Sequence, residues 1–290
     1  MRGWLRGVLT GVITLAVLLA LPAPATADLR LLTAARWRIN RPGLGFFNDL
    51  GWRRGLYPKN DSLILQGCFV EGGLVAQVSP ASLHPGVYVQ AVPVAPILLR
   101  ASIQRLEFFG NFGMLMTFDS PQADWSPPEL HERQQKDGQL SGGWYGELRA
   151  QLRLKVKRVV TLHEQRVGWF RADLDVVGAD QGWYEPINDL LMAQTDWLHT
   201  MKTTVGALAF GDLNHEFLVV ALHWERYKVR EAGTLRHIAG LVGLGRPRMD
   251  WWGAPSFGLL LGLMPVDDHR AGYPYVGGFA NFSFSLAGDP

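Results

Sequence analysis

After its first twenty residues the chain has no apolar run of the ~18 residues that a membrane-spanning helix needs. The longest candidates, 87–99 and 254–265, are interrupted by Pro93, Pro96, Gly258 and Gly262. An inner-membrane helical protein is thereby excluded. Cysteine is almost absent as well: Cys68 stands alone, so no intrachain disulfide can form, and the residue reads as a small apolar side chain on a strand. No Pro/Ser-rich linker or abrupt change of composition divides residues 60–290, which favours one domain.

Catalytic signatures are missing too. There is no H-E-x-x-H, no C-x-x-C and no glycine loop to cradle phosphate. His131-Glu132 and His163-Glu164 lack the second histidine that zinc requires at helical spacing. The segment 253–258, G-A-P-S-F-G, is one residue off G-x-S-x-G and has no strand-to-helix context. The eight histidines are scattered singly, as structural residues usually are. No catalytic residue, metal ligand or cofactor is assigned, and an enzyme is not the expectation.

What the chain does have begins with Arg2 and Arg6, an apolar stretch 8–20, Pro22 and Pro24, and then Ala25-Thr26-Ala27 before Asp28. This is the pattern of a cleaved secretory signal peptide over 1–27. Two of the 28 basic residues lie in it and none of the 26 acidic ones, so the remainder is formally neutral. Nothing resembles the basic footprint of a nucleic-acid binder.

The most informative segment is E-L-R-A-Q-L-R-L-K-V at 147–156. Leu148, Ala150, Leu152, Leu154 and Val156 fall on one parity, Glu147, Arg149, Gln151, Arg153 and Lys155 on the other, which is a strand with one apolar and one charged face. At 170–176, Phe170, Ala172, Leu174 and Val176 alternate with Arg171, Asp173 and Asp175. Twelve strands are expected over 35–41, 47–57, 63–78, 86–94, 97–109, 144–162, 167–177, 197–210, 217–229, 237–244, 257–265 and 275–286, with ten to fourteen as the range. The longest gaps, 119–143 and 178–196, then fall at the same end, and short polar gaps at 58–61, 163–166 and 211–216 at the other. Aromatic residues such as Trp144, Tyr145, Trp183, Tyr184, Trp197, Trp224 and Tyr275 flank the strands, where rings with a polar edge favour a membrane interface.

Over roughly 35–290 the chain resembles a bacterial outer-membrane β-barrel of the porin-like class. The features that carry the resemblance are the signal peptide, the alternating segments, and the last strand F-A-N-F-S-F-S-L, in which Ala280, Phe282, Phe284 and Leu286 share a parity. The resemblance implies an all-β, antiparallel transmembrane barrel over 28–290, with 28–46 left open. It also implies outer-membrane lipid and the barrel-assembly machinery as partners, although 287–290 follow the terminal strand where such barrels usually end on an aromatic residue.

In a barrel, an arginine or lysine facing lipid at the midplane costs ~2–4 kcal/mol. Glu147, Arg149, Arg153, Lys155, Lys157, Arg171, Asp173 and Asp175 are therefore expected to face the lumen, and a turn at 163–166 would set the basic stripe opposite the aspartates. That stripe reads equally as a solute-selecting constriction or as an ionic network filling the barrel. The polar stretch 119–143 is an outward loop, a constriction or a lid. The functions in view are a passive channel or transporter for small solutes, a plugged structural or surface-binding barrel, and a soluble secreted β-protein.

Overall fold

The computed structural model describes residues 28–39, 43–57, 61–109, 116–133, 140–174, 181–213, 215–248 and 255–287. The proposed signal peptide lies outside them, as does Asp175. The strands in chain order are β1 (Asp28–Arg38), β2 (Gly43–Gly55), β3 (Phe69–Ser79), β4 (Ser82–Val94), β5 (Ile97–Phe108), β6 (Thr117–Phe118), β7 (Leu140–Val156), β8 (Val159–Leu174), β9 (Gly182–Glu185), β10 (Leu190–Ala193), β11 (Thr195–Gly211), β12 (Phe217–Val229), β13 (Leu235–Arg246), β14 (Ser256–Asp267) and β15 (Pro274–Ala287). Among the described residues one short helix, α1 (Pro127–Arg133), lies between β6 and β7.

Twelve of these strands close into an antiparallel barrel in which β1 pairs with both β2 and β15. The other three, β10-β9-β6, form a separate small sheet. Closure leaves no open edge, so every wall strand has a partner on both sides, which is what a bilayer demands of a spanning sheet. The expected count of twelve wall strands is met. The open segment 28–46 supplies β1 and the start of β2.

The outer wall is apolar. Leu148, Leu152 and Leu154 on β7, Val205 on β11, Leu218, Val220 and Leu222 on β12, Leu241 on β13 and Leu259, Leu261 and Leu263 on β14 are all exposed. They are matched in register, for example Val205 with Leu222, Leu222 with Leu241 and Leu241 with Leu261. The opposite parity of the same strands is enclosed by the wall. A barrel with a leucine band outside and charges inside inverts the pattern of a water-soluble protein and is the architecture of a membrane-spanning barrel.

The turn between β7 and β8 departs from the expectation. It lies at Lys157–Arg158, not at 163–166, and Val156 pairs with Val159. Lys157 carries the turn with φ 55°, a left-handed conformation that its sequence does not advertise. Residues 163–166 instead continue β8. Their polarity had the look of a turn because both faces of the strand are polar there.

The start of β1, the end of β15 and the β7–β8 turn lie at the lower end of the barrel, and the two long connections leave and re-enter the wall at the upper end. The described parts of those connections fold together. β9 and β10 form a two-faced sheet: Trp183, Leu190 and Met192 pack downward against Leu106, Phe170, Ala172, Leu198 and Val229 of the inner wall. Tyr184 and Leu191 pack upward under Met116, Phe118, Trp125 and Leu130. The result is a cap with its own hydrophobic core, seated in the upper mouth.

Candidate functional site

The barrel interior divides into the cap at the upper mouth and the charged wall beneath it. In the cap, Asp189 has a left-handed backbone (φ 58°) and only 2% exposure. Its carboxylate accepts hydrogen bonds from the Tyr184 hydroxyl and from Arg270, and Arg236 Nη1 lies 3.2 Å away. Arg236 Nε also bonds Asp267 at 2.5 Å, and its Nη1 reaches the Asn188 carbonyl at 3.0 Å. Arg38 at the top of β1 donates to the carbonyls of Pro186 and Ile187 at 2.6 and 2.9 Å. Three separate parts of the barrel rim thus hold the 186–189 loop.

Burial pushes the Asp189 carboxyl up, but Arg236, Arg38 and Arg270 outweigh it and hold the group below its ordinary value. Glu185, fully enclosed nearby, is shifted the other way: burial raises it despite bonds from the Ile187 and Asn188 amides. On the other side of the cap, Asp196 accepts the amides of Ala193, Trp197, Glu231 and Ala232. This ties the cap to the β12–β13 turn.

Below the cap the wall carries three ionic clusters. On β2–β5, Arg100 grips Asp49 with two bonds of 2.6 and 2.9 Å although the strands are three apart in the wall, so both side chains point inward. Arg100 also lies over the Tyr88 ring at 4.1 Å. Glu71 accepts from Tyr88, Gln90 and Arg53 at 2.6–2.7 Å. Gly51 makes room for this set, because a Cβ there would sit 2.3 Å from the Tyr88 hydroxyl.

On β7–β8, Glu147 accepts from Tyr145 at 2.6 Å and from Arg149 at 2.9 Å, and Glu164 accepts from Arg166 at 2.6 Å. Arg149 and Arg166 are directly opposite in register. Such like-charged neighbours persist only because the two glutamates flank them. On β11–β12, Glu225 accepts from Lys202 at 3.0 Å, from His223 at 2.8 Å and from Tyr227. Across the lumen Arg36 of β1 feels Arg149, Arg166, Glu147 and Glu164.

Arg36 is exposed despite being enclosed by the wall, as are Leu32, Ser283 and Ser285 of the same inward parity and Arg153 and Lys155 across from them. Water therefore reaches these inward side chains in the part of the interior below the cap. Arg36 and Arg153 make this region basic, Lys155 being paired with Asp212 at 3.1 Å, and a low-dielectric wall strengthens their field.

Of the residues anticipated for the lumen, Glu147, Arg149, Arg153 and Lys155 lie on the inward parity of β7. Three do not. Lys157 sits in the lower turn. Arg171 is exposed and pairs with Trp144 on the outer face. Asp173 bonds Arg105 at 2.7 Å at the outer rim, where Arg105 also holds Glu107. The physical reason is that the upper part of β8 rises beside the cap. Phe170 and Ala172 turn inward to the cap core, and the charged parity faces outside above the apolar band. The basic stripe is accordingly not opposite the aspartates. Sequence reading missed Arg36, Asp49, Glu71, Arg100, Arg166, Lys202 and Glu225, each a single charge in a less regular strand. Among the described residues no group of three or more His, Cys, Asp or Glu side chains is placed to hold a metal ion.

No family model matches the chain, and no curated relative does. Three solved barrels overlay it. The beta domain of the Bordetella autotransporter BrkA covers 89% of this chain and all of its own at 11% identity and a TM-score of 0.43. LpxR from Salmonella typhimurium covers 87% of this chain and 99% of its own at 10% identity and 0.40. An outer membrane channel from Pseudomonas putida F1 covers 91% of this chain and 97% of its own, also at 10% and 0.40. Likeness at this level carries no functional inference. The barrel rests on the chain's own closed ladder.

Proposed function

We propose that this chain is an integral outer-membrane barrel holding a basic well that opens toward the periplasm and is shut at the outer mouth by the cap. The location follows from the closed wall and its apolar band, for which an outer membrane is the fitting solvent, together with the export signal read over 1–27. An even number of wall strands puts both termini on the periplasmic side and the cap outside.

The observation that carries the functional reading is the Asp189–Arg236–Arg270 cluster, with the cap core of Trp183, Leu190 and Met192 seated in the mouth. Such a barrel is not an open porin at rest. Small anionic solutes enter the well from below, and passage across the membrane requires the cap to be displaced. Planar-bilayer recording on refolded protein tests this. The native chain should be closed almost all of the time, and Asp189→Asn should produce openings that prefer anions. A native chain that conducts steadily would remove the cap from the account.

A further inference from the structure

A polar chain lies on the outer wall, inside the apolar band. His163 and Gln165 of β8 and His199 and Thr203 of β11 all fall on the outward parity, with Trp169 and Trp197 above them and Val159 and Val205 below. Thr203 is directly opposite His163 in register. Thr203 Oγ1 is 2.9 Å from His163 Nδ1. Gln165 Nε2 donates to His163 Nε2 at 2.9 Å, and Gln165 Oε1 accepts from His199 Nε2 at 2.7 Å. Four polar groups facing lipid are costly, and ionisable groups kept in a bilayer mark function.

The chain can run in either direction, because turning the Gln165 amide over exchanges its donor and acceptor. With the Gln165 amide turned over from this orientation, Thr203 O–H donates to His163 Nδ1 and His163 Nε2–H donates to Gln165 Oε1. That is a nucleophile, a base and a group that fixes the tautomer of the base. Arg226 is the nearest outward cation. It is opposite Met201, two residues along from Trp224, which faces Thr203, so its Cβ is about 7–8 Å from that of Thr203. Its Nε has no hydrogen-bond partner.

We propose that this face is an acyl-transfer site acting on the carboxylic esters of phosphate-bearing membrane lipids, with water as the final acceptor. Thr203 Oγ attacks the ester carbonyl carbon while its proton passes to His163. The ester C–O bond breaks and the lipid alcohol leaves with that proton. Water then attacks the acyl-Thr203 ester, giving one proton to His163, which returns it to Thr203 as the fatty acid departs. Arg226 binds the lipid phosphate, and Gln165 is a positioning residue.

The test uses the full chain in nonionic detergent micelles, with free fatty acid measured by mass spectrometry, and is independent of conductance. One arm supplies phosphatidylglycerol and the other lipopolysaccharide; the arm in which fatty acid appears identifies the lipid. His163→Asn and Thr203→Val should lower release about 100-fold or more, while Thr203→Ser retains it. Gln165→Met should lower kcat with KM unchanged, and Arg226→Gln should raise KM on phosphatidylglycerol but not on neutral diacylglycerol. Heat-modifiable electrophoretic migration verifies that each variant is a folded barrel. Absence of release by the native chain in both arms overturns the proposal, as does release that folded His163→Asn leaves unchanged.

Discussion

Leu222→Arg asks whether the outer wall faces lipid. Leu222 is 68% exposed, in register with Val205 at 44% and Leu241 at 56%, and Leu261 beyond Leu241 is 53% exposed. An arginine there has no carboxylate in its row, and the ring at Trp224 is the next outward side chain up the strand. In a bilayer the substitution costs ~2–4 kcal/mol if the site is near the midplane, about a 30- to 700-fold fall in the folded-to-unfolded ratio at 1.4 kcal/mol per tenfold. In water the same change at an exposed leucine would lie within about 0.5 kcal/mol of neutral. The assay is reversible urea unfolding from phospholipid vesicles followed by tryptophan emission, with Lys202→Met as an inward comparison. A shift smaller than 0.5 kcal/mol would refute the lipid-facing assignment of the wall.

Four further outcomes are expected. Asp189→Asn takes the anion from buried Arg270 and leaves Arg236 with Asp267 alone, and should weaken the cap by about 3–5 kcal/mol, read as faster amide exchange at Leu190–Met192 with β11 and β12 unaffected. Because Asp189 is held below its ordinary value, its contribution is present above about pH 4 and is lost as pH falls further; Glu185, raised by burial, works in the opposite sense and is relieved on protonation. Cap protection, with the intrinsic base-catalysed exchange rate divided out, should therefore hold or rise as pH falls from 7 to 5 and be lost only below about pH 4, and a loss of protection centred at pH 6 would contradict the assignment. Gly51→Ala, whose Cβ would press on the Tyr88 hydroxyl, should cost about 1–3 kcal/mol in vesicle unfolding, whereas Gly243→Ala, with nothing within 4 Å, should cost less. In a cap-opened background, Arg153→Glu with Lys155→Glu should move the reversal potential in a salt gradient toward cations, and an unchanged potential would take the stripe out of the conducting path.

The wall was legible where one side of a strand meets lipid along its whole length. The segment 147–156 shows this, with leucines on one parity and ionic side chains on the other. Legibility failed where the environment changes along a strand. The apolar parity of upper β8 marks the cap core, so the alternation at Phe170–Leu174 has the same period but the opposite sense. It failed again at 163–166, where outward His163 and Gln165 alternate with inward Glu164 and Arg166, leaving no apolar parity and imitating a turn. The cap was hidden because its sheet strands are only two to four residues long, too short for a period. Its ion cluster joins residues 189, 236 and 270, which no local pattern connects. Individual inward charges such as Arg100 and Asp49 acquire meaning only through the curvature of the closed wall, which brings inward side chains of strands three apart into contact.

Conductance of the native chain beside a variant whose cap is unpinned, Asp189→Asn with Arg38→Gln, bears most directly on the central claim. In a planar bilayer with a salt gradient, the native barrel should be silent with rare brief openings, and the unpinned variant should conduct continuously with an anion-directed reversal potential. Equal, steady conductance from both would show that the mouth is open regardless of the cap and would contradict the account.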